Sequence, residues 1–91
     1  MNAKERSEQH RKLLKWTEHD LVYITLHMVE VVVKMIKDMS HDDDGAHSLE
    51  DALHSEVLLA IAENRASPSS IREICAAAFS TQEIDFARYT A

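Results

Sequence analysis

Residues 40–47 hold the densest group of potential metal ligands in this sequence, with three aspartates directly before the only glycine. Acidic residues at alternate positions followed by glycine are typical of a calcium-binding loop between two helices. In that template Ser40 occupies a place usually taken by aspartate, and Asp51 is too short for the place usually taken by glutamate. The sequence contains no second loop of this kind. We therefore predict a solvated acidic loop over residues 40–47 and no calcium site.

Six histidines make a transition-metal site the second chemistry to consider. His47, Asp51 and His54 recur at spacings that would place them close to one face of a helix. The set is incomplete, because structural zinc takes four ligands, usually including cysteine, and the sequence has a single cysteine. These three residues are weak metal candidates, and a metal-binding helical protein is a secondary hypothesis. We predict no cofactor.

The single cysteine, Cys75, gives no support to nucleophilic catalysis. It lies between Ile71, Ile74 and Ala78 in an apolar helical pattern, which is typical of an inert core cysteine. It cannot form a disulfide within the chain, and the chain opens without the pattern of a secretory signal. We therefore expect a non-enzymatic protein in the cytoplasm.

The most apolar stretch of the sequence, residues 21–36, is a poor candidate for a membrane-spanning helix. It is shorter than the roughly 18–20 residues that a span needs. It is also interrupted by polar and charged side chains, namely Thr25, His27, Glu30 and Lys34. We expect no association with a membrane through this stretch.

The charge balance favours a basic protein partner over nucleic acid. The chain has 10 basic and 16 acidic residues, a net charge of −6, and residues 38–91 alone hold 11 acidic and 3 basic residues. Such a surface is repelled by phosphate backbones and attracted to basic protein surfaces. We therefore favour a non-enzymatic interaction or adaptor protein that presents an acidic helical surface to an unidentified protein. The residues predicted to contact that partner are Asp42, Asp43, Asp44, Glu50, Asp51 and Glu56.

A DNA-binding regulator is the alternative that the C-terminal part of the sequence suggests. Residues 69–89 have the outline of a helix-turn-helix, with apolar residues at helical spacing on both sides of a short turn. Two features oppose this hypothesis. The turn lacks glycine, and Glu83 and Asp85 would place negative charge where DNA phosphates lie.

One glycine and one proline in 91 residues predict an all-α domain, a small bundle of three to four helices. Residues 1–39 form one long central helix, or two helices joined near Thr17. After the acidic loop over 40–47, a second helix over 48–66 begins at an N-cap, Ser48. Residues 67–91 contain a third helix over 69–79 and a short fourth helix from Thr81 to about Tyr89.

The stretch from Val22 to Val33 is rich in β-branched residues and is also compatible with a strand, which would have to pair between molecules. As a helix it is apolar over most of its circumference and must be covered. Two short helices of the same chain can hardly cover it, so we predict that self-association completes the bundle, as a homodimer or a larger oligomer. The predicted interface comprises Leu21, Ile24, Met28, Val32, Met35 and Ile36.

Overall fold

The computed structural model describes residues 1–17 and 23–88, and these residues form a small all-α bundle as predicted. The four helices are α1 (Ala3–Leu14), α2 (Leu26–Asp38), α3 (Asp43–Ala62) and α4 (Ile71–Phe79). The longest helix, α3, lies against each of the other three, and α2 also packs on α4. No helix in the described part of the chain is long and apolar enough to cross a lipid bilayer.

The long helix predicted over residues 1–39 is wrong, and the alternative of two helices is correct. α1 ends where Lys15 adopts a left-handed conformation, with φ of 60°. The Lys15 N–H donates to Lys12 O and the Trp16 N–H donates to Arg11 O, which is the Schellman pattern that closes many helices. Trp16 is thereby turned into the core, where it is 8% exposed.

The chain re-enters the bundle in an extended conformation before α2. Ile24 makes an isolated parallel β-bridge with Ala66, in which the Ile24 N–H donates to Arg65 O at 2.8 Å. Thr25 then caps α2, because its hydroxyl accepts a hydrogen bond from the Met28 N–H at 3.1 Å. Residues 26–33 are helical, so the strand interpretation of this region is wrong within the described residues.

α3 begins earlier than the sequence analysis predicts. Asp42 is its N-cap and accepts a hydrogen bond from the Gly45 N–H at 3.1 Å. Residues 43–47 are therefore the first turn of α3 and not part of a loop, which corrects the predicted loop over 40–47 and the predicted start at Ser48. Aspartates are favourable in this turn because the N-terminus of a helix carries partial positive charge. The helix ends at Ala62 and not at residue 66.

The described residues after α4 do not form the predicted fourth helix. α4 is followed by a 3-10 turn over Ser80–Glu83, and residues 84–88 are not helical. Residue 89, the predicted helix end, lies outside the described residues. A second helix is what a helix-turn-helix would place in the major groove, so the structural premise of the DNA-binding hypothesis is missing in residues 80–88.

The apolar face of α2 is covered within one chain. Ile24, Val32 and Ile36 are at most 2% exposed, and Met28 and Met35 are half-buried against the same core. Three of the six side chains predicted to form an oligomer interface therefore belong to the intramolecular core, two pack against it, and the sixth, Leu21, lies outside the described residues. Self-association remains a prediction that requires a different surface.

Candidate interaction surface

The aspartates at the start of α3 form an acidic end of the bundle. Asp42 and Asp44 are exposed, and Asp51 lies two turns further along the helix with 67% of its side chain exposed. Asp43 is half-buried because its Oδ1 accepts a hydrogen bond from the Ala87 N–H at 2.9 Å. Three of the four aspartates predicted to contact a partner are thus open to solvent, and the fourth fastens the C-terminal segment to α3.

Glu50 is not part of this surface, although the sequence analysis assigned it there. Its carboxylate is 4% exposed and receives two hydrogen bonds from Arg88, from Nε at 2.8 Å and from Nη2 at 3.0 Å. Arg88 Nη2 also donates to Thr81 O and Ile84 O, and its guanidinium lies 3.8 Å from the centre of the Phe86 ring. The pair therefore holds residues 84–88 on α3.

The ion pair sets the protonation of Glu50. Burial raises the pKa of its carboxyl, but the hydrogen bonds from Arg88 and Thr81 and the positive charge of Arg88 outweigh burial and lower it. The carboxylate in turn raises the pKa of the Arg88 guanidinium. Glu50 is therefore a structural anion whose charge is neutralised inside the fold.

Glu56, the other glutamate assigned to the partner surface, is buried under α1. Its Oε1 accepts a hydrogen bond from the Ser7 hydroxyl at 2.7 Å, and the same hydroxyl accepts one from Arg11 Nη1 at 2.7 Å. His10 Nδ1 lies 3.5 Å from Glu56 Oε2. These contacts join α1 to the C-terminal half of α3, so Glu56 positions a helix and does not face a partner.

The three weak metal candidates do not converge on one point. His47 Nε2 lies 3.4 Å from Asp51 Oδ2 on the exposed side of α3. His54 Nε2 instead lies 2.8 Å from Ala78 O and 3.0 Å from Thr81 Oγ1, in the contact between α3 and α4. Among the described residues, no group of three or more histidine, cysteine or acidic side chains could hold a metal ion.

The α3–α4 groove is a surface that the sequence analysis missed. Cys75, predicted to be in the core, is exposed, and Phe79 beside it is 73% exposed. Leu58 on α3 is 69% exposed beside them. An apolar cavity of about 220 Å³ lies between the helices, lined by His54, Val57, Leu58, Cys75, Ala78 and Phe79.

The exposed cations at the start of α1 lie far from the acidic end, whereas Lys37 of α2 is exposed only five residues before Asp42. The exposed cations of α1, which include Lys4 and Arg6, lie on a helix that packs against the C-terminal half of α3, as the Ser7–Glu56 contact shows. The acidic end is at the other end of α3, a helix of 20 residues and therefore about 30 Å long. The cations at the start of α1 and the aspartates of the acidic end are thus separated along the molecule.

Sequence patterns could identify the exposed aspartates but not the buried polar contacts. Glu50 and Arg88, like Ser7 and Glu56, are distant in the sequence and meet only through the tertiary fold. The exposed side of α4 carried a usable signal, since Arg72, Cys75, Ala76 and Phe79 recur on one helical stripe.

No family model, curated protein or solved structure matches this chain.

Proposed function

We propose that this chain is a non-enzymatic interaction protein that presents the acidic end of its bundle to a basic surface on another protein. The observation that carries the proposal is the exposure of Asp42 and Asp44 at the start of α3 and of Asp51 two turns further along the same helix. Charges on a rigid helix keep a fixed spacing, which allows them to match a complementary array.

The charge distribution supports the same proposal. The glutamates that would add to the acidic surface are neutralised internally, Glu50 by Arg88 and Glu56 by its contacts with α1. What remains exposed near the start of α3 is a compact group of aspartates, separated from the cations of α1. A compact charge of this kind accelerates association with a basic partner and makes it sensitive to salt.

Charge reversal at two exposed positions tests the proposal. Asp44 and Asp51 are changed together to lysine, whereas Asp42 and Asp43 are left unchanged because they cap α3 and hold Ala87. We expect the variant to retain its helical circular dichroism spectrum and to lose capture of basic proteins from a lysate of the source cells. Quantitative mass spectrometry at low salt measures the captured proteins.

A matched control changes the same amount of charge elsewhere. The double variant Glu8→Lys and Glu30→Lys reverses two exposed glutamates on α1 and α2 and leaves the acidic end intact. We expect this control to capture the same basic proteins as the native chain. Equal capture by the native chain and by the Asp44→Lys, Asp51→Lys variant would refute the role of the acidic end.

A further inference from the structure

We infer that a second copy of this chain docks on the exposed face of α4, so that two α4 helices pack antiparallel about a two-fold axis. The face consists of Arg72, Cys75, Ala76 and Phe79, which recur at the i, i+3, i+4 and i+7 positions of one helical stripe. All four are exposed in the single chain. We call this stripe, together with Leu58 of α3, the α4 face.

The centre of the α4 face permits close approach. Cys75 and Ala76 are small, and both are exposed in the middle of the helix, whereas the larger Arg72 and Phe79 stand at its two ends. Small residues at a crossing point allow two helix axes to lie at the short end of the usual 8–10 Å range. A flat centre with a large side chain at each end therefore fits another helix.

The order of residues along α4 makes the face self-complementary. With the two-fold axis between Cys75 and Ala76, Cys75 lies against Ala76 of the partner subunit, and Arg72 lies against Phe79 of the partner subunit. A guanidinium over an aromatic ring is attractive, and the same contact already occurs within the chain between Arg88 and Phe86. The arrangement occurs twice by symmetry, as an isologous interface requires.

The apolar cavity of about 220 Å³ beside Cys75 and Phe79 adds to this match. The hydrocarbon stem of an arginine side chain packs along apolar surface while its charged head stays in water. Arg72 of the partner subunit, placed across Phe79, can cover the mouth of the cavity in this way. The α4 face also excludes the aspartates at the start of α3, so the pairing keeps the acidic ends of two copies out of contact.

The area of the face sets the strength of the dimer. An aromatic side chain buries about 150–250 Å² when fully covered, and Phe79 and Leu58 are 73% and 69% exposed. With the smaller side chains between them, the two copies would bury roughly 800–1,000 Å² in total, below the ~1,200 Å² typical of stable complexes. The inferred dimer is therefore weak and concentration-dependent.

Analytical ultracentrifugation of the full chain tests the inference, from low micromolar to high micromolar concentration. We expect the mass to rise from that of one chain towards that of two. The double variant Leu58→Ser and Phe79→Ser should weaken this association by about tenfold or more, because it removes the largest apolar contacts of the face. Both side chains are mostly exposed, so the variant should fold normally.

The double variant Leu13→Ser and Val31→Ser is the matched control, since these residues are exposed apolar side chains of α1 and α2. It should dimerise like the native chain.

Cross-linking through Cys75 is a second measurement of the same interface. A short bis-maleimide should join two chains in the native protein and in the control, and much less in the Leu58→Ser, Phe79→Ser variant. A single-chain mass at every concentration, or equal association of all three proteins, would overturn the inference. Neither outcome depends on binding by the acidic end.

Discussion

Replacing Arg88 by alanine is expected to lower the free energy of unfolding by about 2–4 kcal/mol, because it leaves a buried carboxylate without its partner. Glu50 is 3% exposed, and Arg88 supplies both of its strong hydrogen bonds. The substitution also removes the bonds from Arg88 to Thr81 O and Ile84 O, so residues 84–88 are left with the Ala87–Asp43 hydrogen bond and the buried Phe86 ring as their main attachments to the bundle. Urea denaturation followed by circular dichroism measures the change.

The control for this prediction is Arg6→Ala, which removes an exposed arginine from α1 and should change the free energy of unfolding by less than about 0.5 kcal/mol. If Arg88→Ala proved no more destabilising than Arg6→Ala, the Glu50–Arg88 pair would not hold the C-terminal segment.

The same pair predicts how stability depends on pH. The pKa of Glu50 is lowered in the folded chain, so its contribution is complete above the unfolded-state pKa of glutamate. This contribution is lost as the pH falls through the lowered folded-state pKa. The native chain should therefore lose more stability between neutral and acidic pH than the Arg88→Ala variant. Parallel loss of stability in the two proteins would contradict the assignment.

Replacing Leu53 by alanine is expected to lower the free energy of unfolding by about 3–5 kcal/mol, the upper part of the range for buried leucines. Leu53 is 0% exposed at the centre of α3, the helix on which the other three pack. Truncation removes its transfer free energy and leaves a cavity that surrounding helices can fill only in part. Chemical denaturation at low protein concentration measures the effect on the single chain.

Leu58 provides a control of the same residue type on the same helix. It is 69% exposed, so Leu58→Ala should cost less than about 1 kcal/mol when the chain is monomeric. Similar costs at the two positions would show that the described packing of α3 is incorrect.

The all-α fold follows from composition and apolar spacing, because glycine and proline are nearly absent and apolar residues recur at helical intervals. The ends of the helices were harder to predict. α1 ends at Leu14 because the next residue, Lys15, adopts a left-handed conformation for which lysine has no preference. Asp42 looked like part of an acidic loop, yet it is the N-cap of α3. Hydrogen bonds local to each end decide these boundaries, and several residue types can make them.

The candidate surface was predictable in part. Asp42, Asp44 and Asp51 are exposed, as charged residues usually are. Glu50 and Glu56 have the same charge but are buried, because each meets a partner from a distant part of the chain. Such contacts depend on how separate parts of the chain pack together. The spacing of residues within one helix does not determine that packing. The same limit explains why Cys75 was assigned to the core although it lies on the open side of α4.

The association rate with a captured basic protein, measured by stopped flow at increasing salt, tests the role of the acidic end most directly. Electrostatic attraction predicts that the rate constant of the native chain falls steeply as salt screens the aspartates. At low salt, the Asp44→Lys, Asp51→Lys variant should associate about tenfold more slowly or worse, whereas the Glu8→Lys, Glu30→Lys control should resemble the native chain. A rate constant that is independent of salt and equal in all three proteins would contradict the proposed function.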